Sequence, residues 1–144
     1  MSNFILKHAG MCLALCLLHS PACAQDVQGA YVSIELNAVQ QVEASCRVSF
    51  LVQNGHDFDI DQAVYEAVLF DVEGRVDRLT LFDFGALPAA RPRVRQFVIP
   101  GLSCGSLGRL LINGAQTCTG TNVPVDACGK DLDLRSRTDV EVLG

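Results

Sequence analysis

The chain has 144 residues, no tryptophan and seven cysteines, and its 16 acidic residues outnumber its 11 basic ones for a formal net charge of −5. This negative balance disfavours nucleic acid and anionic membrane surfaces as partners, and no dense basic run reverses it locally. The length fits one domain with a core of its own.

The first 24 residues have the layout of a secretory signal peptide. Lys7 precedes a short apolar run over residues 11–18, and Pro21 ends the run before small residues. Ala22 and Ala24 stand in the small-x-small arrangement that signal cleavage needs, which predicts cleavage after Ala24. We therefore expect a signal peptide over residues 1–24 and a single domain over residues 25–144, exported to the periplasm or outside the cell.

Two other interpretations of the leader fit less well. Acylation of Cys23 would make a lipoprotein, but Ser20 and Pro21 do not suit a lipoprotein signal. A membrane span needs about 20 apolar residues, and the chain has no run of that length. Removal of the leader takes away Lys7 and leaves 10 basic against 16 acidic residues, a formal charge of −6.

Apolar and polar residues alternate with a period of two over most of the chain, which is the pattern of strands with one buried face. AYVSIELNAV places Val32, Ile34 and Leu36 on one face, and SCRVSFLVQ alternates in the same way. AVYEAVLFD favours a strand over a helix because it is rich in β-branched and aromatic residues. The closing segment LDLRSRTDVEVL alternates most clearly and predicts a C-terminal strand.

Two turn signals predict hairpins. VEG separates AVYEAVLFD from VDRLTLFDF, and Gly74 can adopt the positive φ of such a turn. RLLI runs into Asn113 and Gly114, the strongest two-residue hairpin signal. With RVRQFVI after the loop GALPAARP, the chain has seven or eight short strands. This number predicts an all-β fold, a single antiparallel β-sandwich of immunoglobulin-like type that is stapled by disulfides.

The segment VYEAVLFDVEGRVDRLTLFDFGALPAARPRVRQFVIPGLSC, together with RLLING and the closing SRTDVEVLG, resembles a group of small uncharacterised exported bacterial proteins. Some members of that group are labelled only by their signal sequence. The resemblance covers most of the chain after the leader. It implies export and a β-rich domain, and it brings no activity, cofactor or site residue with it.

Four cysteines remain after the leader: Cys46, Cys104, Cys118 and Cys128. In an oxidising compartment, four cysteines on a small domain most often form two disulfides. Three connectivities are open. We favour Cys46 with Cys104, which would join an early strand to a late one, and Cys118 with Cys128, which would close a loop. The absence of a C-x-x-C pair disfavours zinc binding and redox catalysis.

VIPGLSCGS carries the letters G-x-S-x-G of many serine hydrolases at residues 101–105. That motif needs a strand that turns sharply into a helix, with the catalytic histidine later in the chain. Here GSLGRLLI follows, which favours a strand, and the only histidine after the leader, His56, comes before Ser103. A small serine hydrolase using Ser103 and His56 is therefore an alternative function, and turn residues around a cystine are the favoured interpretation.

Two charged clusters offer other sites. Asp57, Asp59 and Asp61 alternate in NGHDFDID and suggest a calcium-dependent module, although the spacing does not match an EF-hand loop. A solvated loop whose aspartates cap turns explains the same residues. The arginines that alternate in RPRVR would lie on one face of an extended segment and bind a partner or an anion, or else pair with Asp77 and Asp83 on a neighbouring strand. These arginines are Arg91, Arg93 and Arg95.

The leading hypothesis is an exported, non-enzymatic β-sandwich that acts as a binding or accessory module for a protein partner. It rests on a well-patterned core without a credible catalytic set, and it involves no cofactor, no nucleic acid and no integral membrane span. Recognition would use a strand edge or the arginine-bearing face.

Overall fold

The computed structural model describes residues 31–144. The predicted signal peptide over residues 1–24, its cleavage after Ala24 and the alternative acylation of Cys23 all lie outside the described residues. Between residues 31 and 144, no helix is long and apolar enough to cross a membrane.

The described residues form eight strands, within the predicted number. The strands are β1 (Val32–Val42), β2 (Ser45–Asn54), β3 (Ile60–Asp71), β4 (Val76–Leu87), β5 (Pro92–Pro100), β6 (Leu107–Thr119), β7 (Asp133–Ser136) and β8 (Glu141–Leu143). One turn of 3-10 helix, Cys104–Ser106, precedes β6, and residues 31–144 contain no α-helix. The all-β prediction is therefore confirmed.

The strands form two four-stranded sheets that enclose one core. The first sheet has the order β5-β2-β1-β7 and the second has the order β4-β3-β6-β8. Inward side chains alternate with outward ones as predicted, and in β1 the fully buried residues are Val32, Ile34 and Leu36. The fold is a β-sandwich because both sheets bury one face against the other.

An aromatic cluster joins the two sheets at the centre of the core. The Phe50 ring of β2 lies 5.1 Å from the Phe82 ring of β4, and the Phe82 ring lies 4.7 Å from the Phe97 ring of β5. Tyr65 of β3 packs 5.7 Å from Phe84 and is fully buried. Its hydroxyl finds no hydrogen-bond partner among the described residues, and burial raises the pKa of Tyr65, so this core residue stays protonated.

The hairpin predicted at VEG is confirmed. β3 and β4 pair antiparallel around residues 72–75, and Gly74 has a φ of 82°. Asp71 supports the turn, since its Oδ1 accepts hydrogen bonds from the backbone N–H groups of Glu73 and Arg75. The turn is thus stabilised by residues within five positions of one another.

The prediction of a hairpin at Asn113 and Gly114 is wrong, because β6 continues through both residues to Thr119. The strand pairs with β3 over its whole length, and the register shifts between Glu66 and Ala67, opposite the Asn-Gly pair. The extra residue is absorbed as a bulge. Pairing with a strand as long as β3 outweighs the local preference of Asn-Gly for a turn.

The C-terminal segment is two strands in different sheets, where its alternation predicted one. β7 pairs parallel with β1, and β8 pairs parallel with β6, so the sandwich is not purely antiparallel. The chain bends at residues 137–140, where the Arg137 N–H donates to the Leu36 carbonyl and Val140 is buried. The hydroxyls of Ser136 and Thr138 accept the N–H groups of the bend, which satisfies its backbone.

Candidate functional site

Ser103 and His56 lie at opposite ends of the sandwich. Ser103 adjoins Cys104, which is bonded to Cys46 at the start of β2, whereas His56 follows the end of that ten-residue strand. At 3.3 Å per residue the strand separates them by roughly 30 Å. Only three residues of 3-10 helix follow Ser103. The structure therefore does not assemble the alternative serine hydrolase site.

The three aspartates of the calcium hypothesis are not brought together either. Asp57, Asp59 and Asp61 are exposed, and the Asp59 carboxylate accepts a 2.7 Å hydrogen bond from the Ala89 N–H. Among residues 31–144, no group of three or more His, Cys, Asp or Glu side chains is placed to hold a metal ion. Asp59 is therefore neither a metal ligand nor the cap of its own turn, because its carboxylate bonds to the backbone of a residue 30 positions later.

The expected pairing of the arginines with Asp77 and Asp83 is wrong. β5, which carries Arg93 and Arg95, pairs with β2 and belongs to the other sheet from β4, which carries both aspartates. Asp77 instead forms an ion pair with Arg78 at 2.5 Å, and Asp83 accepts from the Gln62 amide at 3.3 Å. The sequence could not show this, because the sheet to which β5 belongs depends on the topology.

The cysteines form the two disulfides that the sequence analysis favours, Cys46–Cys104 and Cys118–Cys128. They lie at opposite ends of the sandwich. Cys46–Cys104 joins the first residues of β2 to the segment before β6, and Cys118–Cys128 closes the loop that follows β6.

Three connections meet at the end of the sandwich where Cys118–Cys128 lies, and we call this region the loop end. They are residues 55–59 between β2 and β3, residues 88–91 between β4 and β5, and residues 120–132 between β6 and β7. The first connection contacts each of the other two, as described below.

Asn54 holds the first two connections together. It is the last residue of β2 and is completely buried. Its amide nitrogen donates to the carbonyls of Phe58 and Leu87, both at 2.8 Å, and its Oδ1 accepts the His56 N–H at 3.0 Å. The Asn54 carbonyl also accepts the Ala90 N–H. A buried amide with this many bonds fixes the paths of both loops, because breaking any of these bonds leaves a buried polar group without a partner.

His56 links the first connection to the third. Its Nε2 lies 2.9 Å from the Ala127 carbonyl, so Nε2 carries the proton and donates it there. The imidazole also stacks on the Phe58 ring, with centroids 4.7 Å apart. The two rings line a shallow cavity of about 350 Å³ whose other wall includes Pro124 and Lys130. His56 is therefore part of the scaffold of the loop end.

Gly120 brings the third connection against the first. A side chain at this position would lie 2.8 Å from the Asp59 carbonyl and 2.7 Å from a methyl group of Val123, so only glycine fits. The loop then closes on itself through the disulfide and through bonds from the Gly129 and Lys130 N–H groups to the Asp126 carbonyl. This local closure leaves the loop with few accessible conformations.

The loop end exposes one large apolar side chain and more acidic than basic groups. Val125 has a relative exposure of 102%, the highest among the exposed large apolar side chains of the described chain. Arg91 and Lys130 are its exposed cations, its exposed acids are Asp57, Asp59, Asp126 and Asp131, and Asp61 is exposed beside it at the start of β3. An exposed apolar side chain on a restrained loop is typical of a recognition surface, because little entropy is lost when it is buried.

Sequence reasoning missed Asn54 and Val125. The signal for Asn54 was present, because the buried positions of β2 alternate from Cys46 to Val52 and the next position is residue 54. A polar residue that continues a buried face is expected to have specific hydrogen-bond partners. Val125 gave no such signal, since its exposure depends on how the disulfide folds the loop.

Comparisons with known proteins agree with the fold. No protein-family model and no curated protein matches the chain. The structure is similar to the solved structure of IrmA from Escherichia coli, with a TM-score of 0.54 over 73% of this chain and 91% of that chain. The two sequences are 15% identical, so the similarity is one of fold alone.

Proposed function

We propose that the protein is an exported, non-enzymatic binding module whose loop end recognises a protein partner. The observation that carries this proposal is the linkage of three separate connections by Asn54 and His56, with Cys118–Cys128 closing the third of them. A surface that is fixed before binding loses less conformational entropy on association than a set of free loops. The arrangement suits recognition better than chemistry, since no nucleophile and base are brought together there.

The sandwich is proposed to be of immunoglobulin-like type, where loops at one end commonly serve recognition on a rigid framework. Two disulfides suit an oxidising compartment, which supports export together with the resemblance to small exported bacterial proteins. The strand edge and the arginine-bearing face become less suitable recognition surfaces, because Arg95 is engaged by backbone carbonyls of the protein itself.

The surface also defines the kind of partner. Val125 would enter a small apolar recess, and the exposed carboxylates of the loop end would face basic side chains of the partner. Opposite charges at such a border mainly accelerate association, so binding should weaken as salt is added.

Photo-crosslinking in the native exporting cell tests this proposal. A photoreactive amino acid replaces Val125 in one variant and Val72 in the other, because Val72 is also an exposed valine (65%) but lies at the opposite end of the sandwich. The expected result is a discrete crosslinked protein from position 125 and none from position 72. Equal crosslinking from both positions, or none from position 125, would contradict recognition by the loop end.

A further inference from the structure

The cavity at the loop end has both aromatic and charged walls. It has a volume of about 350 Å³, and we call it the loop-end cavity. Ligand sites usually combine aromatic surface with a few polar groups in this way, and this volume lies near the lower limit of such sites. The cavity therefore suits one long side chain better than a large ligand. Its walls include the His56 and Phe58 rings, Pro124 and the charged side chains of Asp126, Lys130 and Asp131.

The charged groups of the loop-end cavity have no partner within the described chain. The carboxylates of Asp126 and Asp131 and the ammonium of Lys130 are exposed, and none of them forms a hydrogen bond or an ion pair with another residue between 31 and 144. Glu35 of β1 differs, because its carboxylate pairs with the Arg137 guanidinium at 2.9 Å. The two carboxylates of the cavity are therefore available to a ligand.

The balance of charge favours a cationic ligand. Two carboxylates line the cavity against one ammonium, and the rest of the loop end adds Asp57 and Asp59 against Arg91. An anion would therefore meet a net negative charge. Lys130 opposes a cation at short range, but its exposed side chain has no partner among the described residues and can turn toward solvent.

The aromatic wall distinguishes between the two cationic side chains of proteins. The His56 and Phe58 rings are nearly parallel, with an angle of 15° between their planes and centroids 4.7 Å apart. A planar guanidinium stacks on aromatic surface and binds a carboxylate through two parallel hydrogen bonds, whereas an ammonium is a strongly hydrated point charge. The loop-end cavity provides both kinds of contact, so it fits arginine better than lysine.

The backbone around the cavity is fixed before binding. His56 Nε2 bonds to the Ala127 carbonyl at 2.9 Å, and the Ala127 N–H donates to the Pro124 carbonyl at 3.1 Å. Cys128, the next residue, is buried and bonded to Cys118. The residues that carry the two carboxylates flank this restrained segment, so their backbone loses little conformational entropy when a ligand binds.

We infer that the loop-end cavity receives an arginine side chain of the partner protein, whose guanidinium stacks on the aromatic wall and donates to the carboxylates of Asp126 and Asp131. The inference rests on the proposed function, because it takes the loop end as the recognition surface, and it adds the type of residue that the partner contributes. Val125 lies between two lining residues in the chain, so the arginine would bind beside the apolar contact of Val125. Arginine is one of the residues that most often dominate the energy of an interface.

Nuclear magnetic resonance of the isotope-labelled exported protein tests the inference, with N-acetyl-L-arginine amide as the probe. We expect saturable shifts at the amides of His56, Phe58 and residues 126–131. N-acetyl-L-lysine amide keeps the charge and N-acetyl-L-citrulline amide keeps the shape without the charge, and each should bind at least about threefold more weakly. Equal binding of either control, or no shift at the cavity with the arginine probe, would overturn the inference.

Three variants identify the groups that bind the arginine probe. Asp131→Asn should weaken binding at least about threefold, and asparagine tolerates the left-handed φ of 52° at this position. Lys130→Gln should strengthen binding, because it removes the competing ammonium; weaker binding would indicate an anion site and contradict the inference. Asp57→Asn is the matched control, since Asp57 is an exposed aspartate of the loop end that does not line the cavity, and it should leave binding unchanged.

Crosslinking from position 125 distinguishes this inference from the proposed function. Asp131→Asn should reduce the yield of the crosslinked protein in the exporting cell, and Asp57→Asn should not. If both variants keep the full yield, the cavity does not hold an arginine of the partner, and the inference fails while the proposed function stands. If no protein crosslinks from position 125 even without these substitutions, the proposed function fails and the partner's arginine fails with it.

Discussion

The two ends of the sandwich are held by different kinds of contact. The end opposite the loop end, which we call the turn end, contains the turns at residues 43–44 and 72–75, and local bonds such as those of Asp71 and Gln41 support them. At the loop end, Asn54 bonds to Leu87, 33 positions away, and His56 bonds to Ala127, 71 positions away. The two hairpin turns therefore depend on local sequence, while Cys46–Cys104 and the Cys104 N–H, which donates to the Gln41 side chain, add long-range links at the same end. The Asn54 and His56 bonds of the loop end form only once the two sheets have packed.

Each end of the sandwich has one disulfide, and removing these disulfides has the largest expected effect on the free energy of unfolding. Cys46–Cys104 spans 58 positions and Cys118–Cys128 spans 10. Replacing both cysteines of a pair by alanine should lower the free energy of unfolding by about 4 kcal/mol for the longer span and about 3 kcal/mol for the shorter, since a longer loop restricts the unfolded chain more. Urea unfolding of the two double variants measures these losses.

The same variants separate stability from recognition. Loss of Cys118–Cys128 should abolish crosslinking from position 125, because the loop that carries Val125 is no longer closed. Loss of Cys46–Cys104 should leave that crosslinking intact while the protein stays folded. The comparison between the two ends fails if the turn-end variant loses crosslinking and the loop-end variant keeps it.

Asn54→Ala removes the buried amide that joins two connections of the loop end. We expect a loss of about 2–3 kcal/mol in the free energy of unfolding, because the carbonyls of Phe58 and Leu87 lose their donor in a buried site. Amide hydrogen exchange should accelerate at residues 55–59 and 88–91 before it changes elsewhere. Asn37→Ala is the control, since Asn37 is exposed and, among residues 31–144, its amide bonds only to the Glu35 side chain. If both variants lose a similar free energy of unfolding, the buried hydrogen bonds of Asn54 contribute no more to stability than the exposed one of Asn37.

The difference between the ends also explains what the sequence could predict. Alternation identified the strands and one buried face of β1 and β2, since a period of two is a local property. The hairpin at Gly74 was predictable for the same reason. The sequence could not predict that β6 passes through Asn113 and Gly114, because the stabilising partner, β3, lies more than 40 positions earlier in the chain.

The candidate site was less predictable than the fold. The favoured cysteine pairs match the structure, and His56 and the aspartates were noticed, but for chemistry that the structure does not assemble. His56 bonds to a carbonyl and Asp59 caps a neighbouring loop. Such roles depend on which loops meet, and that depends on the packing of two sheets whose order a single sequence does not specify.

Asp59→Ala tests a smaller link of the loop end. Its carboxylate accepts the Ala89 N–H, so the loss should be about 1 kcal/mol in the free energy of unfolding. Asp57→Ala is the matched control two positions earlier, since Asp57 is exposed and makes no hydrogen bond with another described residue. Addition of calcium should leave the melting temperature of both variants and of the wild type unchanged. A calcium-dependent rise that Asp59→Ala abolishes would instead revive the calcium hypothesis.

The smallest expected effect on stability comes from the charge of Asp71, which supports one hairpin turn of the turn end. The hydrogen bond from the Arg75 N–H, together with the Arg75 guanidinium, holds the pKa of the Asp71 carboxyl below its ordinary value. The unfolded chain therefore binds more protons in acid than the folded protein does. The stabilisation is present above the ordinary aspartate pKa of about 3.9 and is lost as the pH falls through the lower pKa of the folded state.

Asp71→Asn removes this titration and keeps an oxygen that accepts the N–H groups of the turn. The difference in free energy of unfolding between the wild type and Asp71→Asn should be largest near pH 6 and should shrink as the pH falls below about 4. Chemical denaturation across this range measures the difference, and a constant difference would mean that the carboxylate charge does not support the turn. A local effect of this kind should leave hydrogen exchange at the loop end unchanged, because the hydrogen bonds of the Asp71 side chain stay within its own turn.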